Sequence, residues 1–246
     1  MEKTPVTVFF GGRAYENWTD AGLTVSYAGR TGVLAVRSPR GWLAAPCPPG
    51  RGGDVKTDMA EYARSRELAF RINDGSAPPL TAAYFRAAAA ARADSEHAAD
   101  ARLSPGEPAP PFVMDGGADS LELAETLRIL LDDKRMSWDG ACAAIAERYV
   151  CAPQKRHTAP LSAVAALQPR TVSLINAVNE KLCALLWDKY PGDWERIASG
   201  AAVSCGEVDF VRLSAAMCGE IHCTKEQRAG EMRTLYTVMP AKFKEI

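Results

Sequence analysis

A chain of 246 residues with 29 basic and 30 acidic side chains is close to neutral, so nothing global draws it to nucleic acid or to an anionic membrane surface. Apolar residues at 47% and charged residues at 24% are the proportions of a soluble globular protein, with length for one large domain or two small ones. No stretch reaches the roughly 18 apolar residues that span a bilayer, so no membrane insertion is expected.

The start, "MEKTPVTVFFGG", lacks the basic region and apolar core of a signal peptide. A cytoplasmic location is the expectation, with a trimmed organellar presequence left open. Residues 6–10, 23–27 and 33–36 are short runs rich in β-branched and aromatic residues, with glycines between them, and predict an antiparallel meander. Residues 38–54 hold four prolines and four glycines and read as an irregular connection. Helices are predicted over 59–72, ending at "NDGSAPP", and over the alanine-dense 80–103. "SPGEPAPP" at 104–111 cannot continue a helix. It divides a meander-plus-helices portion, 1–103, from a helix-rich portion, 112–246, unless the two form one continuous domain.

"FVMDGGADSLELAETLRILL" at 112–131 runs from a short apolar strand through two glycines into an amphipathic helix. In that helix Asp119 and Glu122 suggest an N-terminal cap, and Leu123, Ala124, Leu127, Leu130 and Leu131 make an apolar stripe. A strand, a glycine turn and a helix can cradle a phosphate on backbone N–H groups, but two glycines alone do not establish one. Ser137 is placed to cap the next helix. The longest helical pattern starts near Thr171, with Leu174, Ile175, Val178, Leu182, Leu185 and Leu186 as its stripe, and ends at Pro191-Gly192. Further helices are predicted over 194–198, 208–217 and 224–238, the last with a Thr224/Gln227 capping box. The fold class is α/β: an antiparallel front followed by helices covering a short parallel sheet.

The seven cysteines (Cys47, Cys142, Cys151, Cys183, Cys205, Cys218 and Cys223) form no CxxC pair and read as reduced, mostly buried thiols. Cys218, His222 and Cys223 are the alternative, a metal site with no evident fourth ligand. The histidines His97, His157 and His222 lie in three different contexts, and no GxSxG, HExxH or Walker motif occurs. Asp132-Asp133 read as a solvated helix end, and Lys155-Arg156 as a small basic surface spot.

Several spellings, taken in order, resemble the N-terminal lobe of the α-glucan phosphorylases. "FFGGR" and "VLAVRSP" look like strands of that lobe. "LRILLDDKRMSWDGACAAI" resembles the family's "LMRILLDEEGLSWDEAW", "YPGDWERI" resembles "YPGDEERL", and "MPAKFKEI" resembles "YPEKFNNKT". The resemblance implies a partial, Rossmann-like N-terminal lobe of the two-lobe GT-B glycosyltransferases. In that family the active site lies between the lobes, with pyridoxal phosphate on a lysine of the second lobe. No cofactor is therefore expected on the residues of this chain, and no catalytic residue either.

The family's "QLNDTHPAL" is here "VMDGGADSL", so Asp115, Gly116, Gly117 and Ala118 stand where an Asn-Asp-Thr-His run approaches the glucan. By resemblance the remaining substrate-binding candidates are His157 and Thr158, matching a His-Thr beside the sugar, and Asn73 and Asp74, matching the "ND" of a mobile gate loop. The reading that follows is a truncated, catalytically inactive phosphorylase-like protein that serves as an interaction subunit or self-associates. Two alternatives stand beside it: one chain of a split phosphorylase, and a glucan-binding module using Trp18, Trp42 or Trp194.

Overall fold

The computed structural model describes residues 4–20, 22–49, 55–101, 111–154 and 156–246. The front of the molecule is more extensively β than its sequence suggests. Strands β1 (Val6–Phe10), β4 (Thr31–Ser38) and β5 (Gly41–Pro46) form an antiparallel sheet in the order β1-β4-β5. Between the first two, β2 (Arg13–Thr19) and β3 (Gly22–Ala28) make a separate hairpin. Alternation explains the sheet: Val6, Val8 and Phe10 of β1, with Val33 and Ala35 of β4, face inward, while the residues between them are half-buried.

Strand β5 takes up part of the irregular connection expected over 38–54, and residues 47–49 after it have no regular structure. Its Ala45 and Ala44 register with Leu34 and Ala35, so prolines at its end do not prevent pairing along an edge. Residues 50–54, and the proline-rich boundary at 102–110, lie outside the described residues.

Helix α1 (Val55–Asn73) lies across this sheet, held by side chains as well as packing. The Ser65 hydroxyl donates to the Gly32 carbonyl and accepts from the Cys47 N–H at 2.8 Å, which links β4, the end of β5 and α1. Helix α2 (Pro79–Ala101) buries Tyr84, Phe85, Ala88 and Ala89 against β1 and the second half of the chain. One contiguous apolar core runs from β1 through α2 to the C-terminal strand.

The second half contains a four-stranded parallel sheet in the order β12-β11-β7-β6. Its strands are β6 (Phe112–Met114), β7 (Tyr149–Cys151), β11 (Glu220–Cys223) and β12 (Phe243–Glu245). Helix α3 (Leu121–Arg128) follows a 3₁₀ turn at Ala118–Ser120 and continues as a π-helical turn, Ile129–Asp133. The cap expected from Asp119 is not made. Ser120 holds the N-cap position without a side-chain bond, and Asp119 reaches Arg86 instead.

Ser137 does cap α4 (Trp138–Arg148), accepting from Gly140 N–H at 3.2 Å. Helix α5 (Leu161–Leu167) leads into α6 (Pro169–Lys189), which buries Leu174, Ile175, Val178, Leu182 and Leu186, whereas Leu185 is half-exposed on the side toward α4. Helix α7 (Trp194–Gly200) follows it, and helix α8 (Phe210–Met217) follows a small sheet of β8 (Thr158–Pro160), β9 (Val203–Ser204) and β10 (Glu207–Asp209). The single helix expected over 224–238 is two, α9 (Lys225–Ala229) and α10 (Arg233–Val238), separated at Gly230, and the Thr224/Gln227 capping box is present.

Among the described residues no helix is long and apolar enough to cross a membrane.

Candidate functional site at the carboxyl edge of the parallel sheet

In open sheets with parallel strands, ligands sit beyond the carboxyl ends of the strands, where loops diverge. Here that edge carries the Asp115–Ala118 loop after β6, residues 152–154 and 156–157 after β7, and Thr224 after β11. The loops brace one another through the backbone: Ala152 N–H donates to the Met114 carbonyl at 2.8 Å, and Gln154 N–H to the Asp115 carbonyl at 3.1 Å. The Gln227 amide donates to the Pro153 carbonyl at 2.7 Å, fixing the middle loop to α9.

The Asp115 loop turns back on itself. Its carboxylate accepts the Gly117 N–H at 2.8 Å, an Asx turn, and Gly117's carbonyl accepts from Ser120 N–H. Gly116 has φ +84° and lies directly against α8; a β-carbon there would come within 2.4 Å of Val211 Cγ2. Only glycine allows this close approach of loop and helix. The two glycines thus serve packing, and the one acidic side chain of the loop is occupied by its own backbone.

His157 is exposed. Its carbonyl accepts the Phe210 N–H at 3.0 Å, and its ring stacks on Phe210 with centroids 6.0 Å apart. Thr158 is half-buried in β8, paired in register with Asp209. Asp209 caps α8, accepting Arg212 N–H at 3.0 Å; its carboxylate also accepts from the Arg156 guanidinium at 2.6 Å and from that of Arg212. Burial lowers the Arg212 guanidinium, and the adjacent Asp209 opposes that shift. The structure therefore brings His157 and Thr158 to the sheet edge beside the Asp209 cluster.

It places Asn73 and Asp74 elsewhere, at the turn after α1. Asn73 exchanges two hydrogen bonds with the backbone of Ala44, at 2.9 and 2.7 Å, and so fastens β5 to α1. Asp74 accepts Ser76 N–H at 2.9 Å, and hydrogen bonds from Ser76 hold its carboxyl below the usual range.

His222 does not join Cys218 and Cys223 in a ligand set. Its Nε2 meets Glu220 at 2.9 Å, and no group of three metal-binding side chains occurs among the described residues. The described cysteines are free; burial raises Cys218 to about 12 and Cys151 further still, which makes them inert thiols.

The largest polar assembly is one the sequence reading did not anticipate. Of the two aspartates expected at a solvated helix end, Asp133 is exposed, though paired with arginines, and Asp132 is not. Asp132 is buried, bound by both Nε and Nη2 of Arg170 (3.1 and 2.9 Å) and by the Tyr27 hydroxyl. Arg128, fully buried, pairs with Glu125 at 2.8 Å and with Asp133 at 3.3 Å; Arg170 also reaches Glu16 on β2. Burial raises the Tyr27 phenol far above its ordinary range, while Arg30 lies between the faces of Phe9 and Tyr27 at 4.1 and 4.0 Å. This network fastens the β2–β3 hairpin to α3 and α6.

Behind the sheet, Glu122 on α3 accepts from the Tyr149 hydroxyl at 3.0 Å, and burial pushes its carboxyl up to about 7. The helical face alone carries no sign of this, because the hydrogen-bonding partner Tyr149 is 27 residues away.

A mixed α/β architecture with helices on a short parallel sheet, compatible with part of a Rossmann-like lobe, is thus in place. The chain is related to the glycogen phosphorylases over about half its length. It is 31% identical over 137 residues to glycogen phosphorylase of Bacillus subtilis (strain 168), a match covering 50% of this chain and 17% of that protein. It is 25% identical over 100 residues to glycogen phosphorylase 2 of Dictyostelium discoideum, covering 39% of this chain and 10% of that one. No family model matches the chain.

Proposed function

We propose that the chain is a glucan phosphorylase-like protein, a partial GT-B lobe, that acts as a catalytically inactive structural or interaction subunit of a larger assembly. The observation that carries this reading is the state of the sheet-edge loops. Phosphorolysis of an α-glucan needs polar groups free to hold a sugar and an anion beside a developing oxocarbenium ion. At this edge Asp115 is bound by Gly117, Asp209 by two arginines, and Gly116 is packed on Val211.

Exposed apolar groups supply the other half of the reading. Trp187 and Trp194 lie together on the surface with ring centroids 5.0 Å apart, and Phe112 and Val113 are exposed on the edge strand β6. Surfaces of this kind mark association sites.

The test is calorimetric titration of the purified chain with maltopentaose, together with light scattering at micromolar concentration. The reading expects no saturable glucan binding, and a mass above that of one chain either alone or in the native complex. A monomer in both settings, or a native complex that shows pyridoxal absorbance and releases glucose 1-phosphate, would overturn it. The second outcome would indicate one chain of a split phosphorylase.

The tryptophan pair also favours a second reading, a glucan-binding module, since paired indoles offer flat faces to sugar rings. Retardation on glycogen-containing native gels, lost in Trp194→Ala, would support that reading over the first.

A further inference from the structure

A second concave feature lies on the side of the second half formed by α4, α6 and the end of α8, and the proposed role does not use it. The cavity has a volume of about 400 Å³, within the range that holds small molecules. Its deep walls are Ile145, Leu182, Met217 and Met239, all buried or half-buried. Two methionines among aliphatic side chains make an adaptable lining suited to a flexible chain more than to one rigid ring.

Charge is distributed unevenly around this apolar space. Lys181 stands at the mouth, its ammonium 5.0 Å above the Trp138 ring. The lining acid is Asp139, whose side chain is 95% exposed and meets Lys181 at 3.6 Å. Such a pair, wet at both ends, contributes little and is readily exchanged. Lys242 lines the inner side and donates to the carbonyls of Ala215, Ala216 and Cys218, closing the end of α8. Its ammonium is depressed by burial, and no carboxylate pairs with it among the described residues. The result is an apolar pocket with two cations at its wall and a single acid directed into solvent.

We propose that this cavity binds a medium-chain fatty carboxylate, with the alkyl chain among Ile145, Leu182, Met217 and Met239 and the carboxylate at Lys181, displacing Asp139. The alkyl chain covers apolar wall now open to water, which favours binding in proportion to the area covered. The carboxylate replaces the exposed Asp139 at Lys181 and brings a counter-charge to the side of the pocket where Lys242 has none. This site is separate from the sheet-edge loops and stands whether or not the interaction reading holds.

The experiment is calorimetric titration of the full chain with octanoate and, separately, with 1-octanol, which carries the same alkyl length without charge. Two variants are placed at exposed positions, so that folding is preserved. Ala143→Trp fills the mouth, and Lys181→Glu reverses its charge. Octanoate is expected to bind saturably and more tightly than octanol. Ala143→Trp should abolish binding of both, and Lys181→Glu should weaken octanoate about fivefold, the upper end for an exposed ion pair, without changing octanol.

Cys142 lines the same cavity, so octanoate should also slow its alkylation while leaving the exposed Cys205 unaffected, read by peptide mapping. Absence of saturable binding, equal affinity for acid and alcohol, binding that survives Ala143→Trp, or unprotected Cys142 would each overturn the proposal.

Discussion

The charged cluster beneath the β2–β3 hairpin and the polar loops at the carboxyl edge of the parallel sheet use the same residue types, arginines set against aspartates, to opposite ends. In the first, Arg128, Arg170, Asp132 and Glu125 each expose 7% or less of their side chains, so their charges are satisfied by neighbouring protein groups and hardly by water. In the second, Arg156 is 60% exposed and Asp209 7%, so water can replace the guanidinium but the carboxylate cannot do without a donor. Sealed charges specify geometry and carry a large penalty when one is removed. Charges with an outlet to solvent tolerate change. The difference assigns the hairpin cluster to architecture and leaves the exposed side chains of the sheet edge, Arg156 first, as the positions where substitution is cheap.

The sharpest way to break this comparison is Arg128→Met. It strands Glu125 and removes a partner of Asp133, and should lower stability by about 3–5 kcal/mol in urea titration. Arg128→Met combined with Glu125→Gln should recover part of the loss, because the uncompensated buried charge is gone. A loss below about 1 kcal/mol in the single variant would mean that the cluster is hydrated.

Next in size is the pH dependence of Glu122. Its folded carboxyl titrates near 7 against 4.5 for the unconstrained group, so the folded state holds the proton more tightly. Its contribution to stability is complete below pH 4.5, declines as pH rises through the interval to 7, and is absent above. The difference is on the order of 2–3 kcal/mol, taking about 1.4 kcal/mol per pH unit and allowing for nearby charges. Glu122→Gln should remove this slope and be the more stable protein above pH 7, measured by urea titration at several pH values.

Gly116→Ala should cost about 1–3 kcal/mol, through the positive φ and the clash with Val211. Val211→Ala in the same chain should relieve the clash and leave the backbone component. Smallest of all, His157→Ala should change stability by less than about 0.5 kcal/mol, since an exposed ring stacked on Phe210 is all it removes. A maltopentaose affinity present in the wild type and lost in this variant would move the sheet edge back into carbohydrate chemistry.

Elements whose signal is local were legible in the sequence. The stripe Leu174, Ile175, Val178, Leu182 and Leu186 gives α6, and Ser137 and Thr224/Gln227 give helix starts, because each is decided within one or two turns of chain. Strand β5 was not, since its pairing with β4 outweighs the prolines and glycines around it. Asp132 looked like a wet helix end because Arg170, which buries it, is 38 residues away and Tyr27 is 105 away. Of the site candidates, the structure places His157 and Thr158 beside Asp209. Asn73 instead ties two elements together, a role set by the distant backbone of Ala44 and invisible in the dipeptide itself.

The π-turn at Ile129–Asp133 has a consequence for how this part of the chain can vary in length. A π-turn is a helix holding one residue more than its hydrogen-bond ladder requires, most simply produced by a single insertion. Here the surplus residue sets the angle at which both aspartates leave α3, Asp132 toward Arg170 and Asp133 toward Arg92 and Arg128. Deleting one residue would restore an ordinary helix and rotate one aspartate about 100° away from its arginine, leaving a buried cation with one carboxylate fewer. A second insertion would misdirect the other. Between Leu121 and Asp133 the molecule can therefore exchange side chains one at a time, but its residue count is locked.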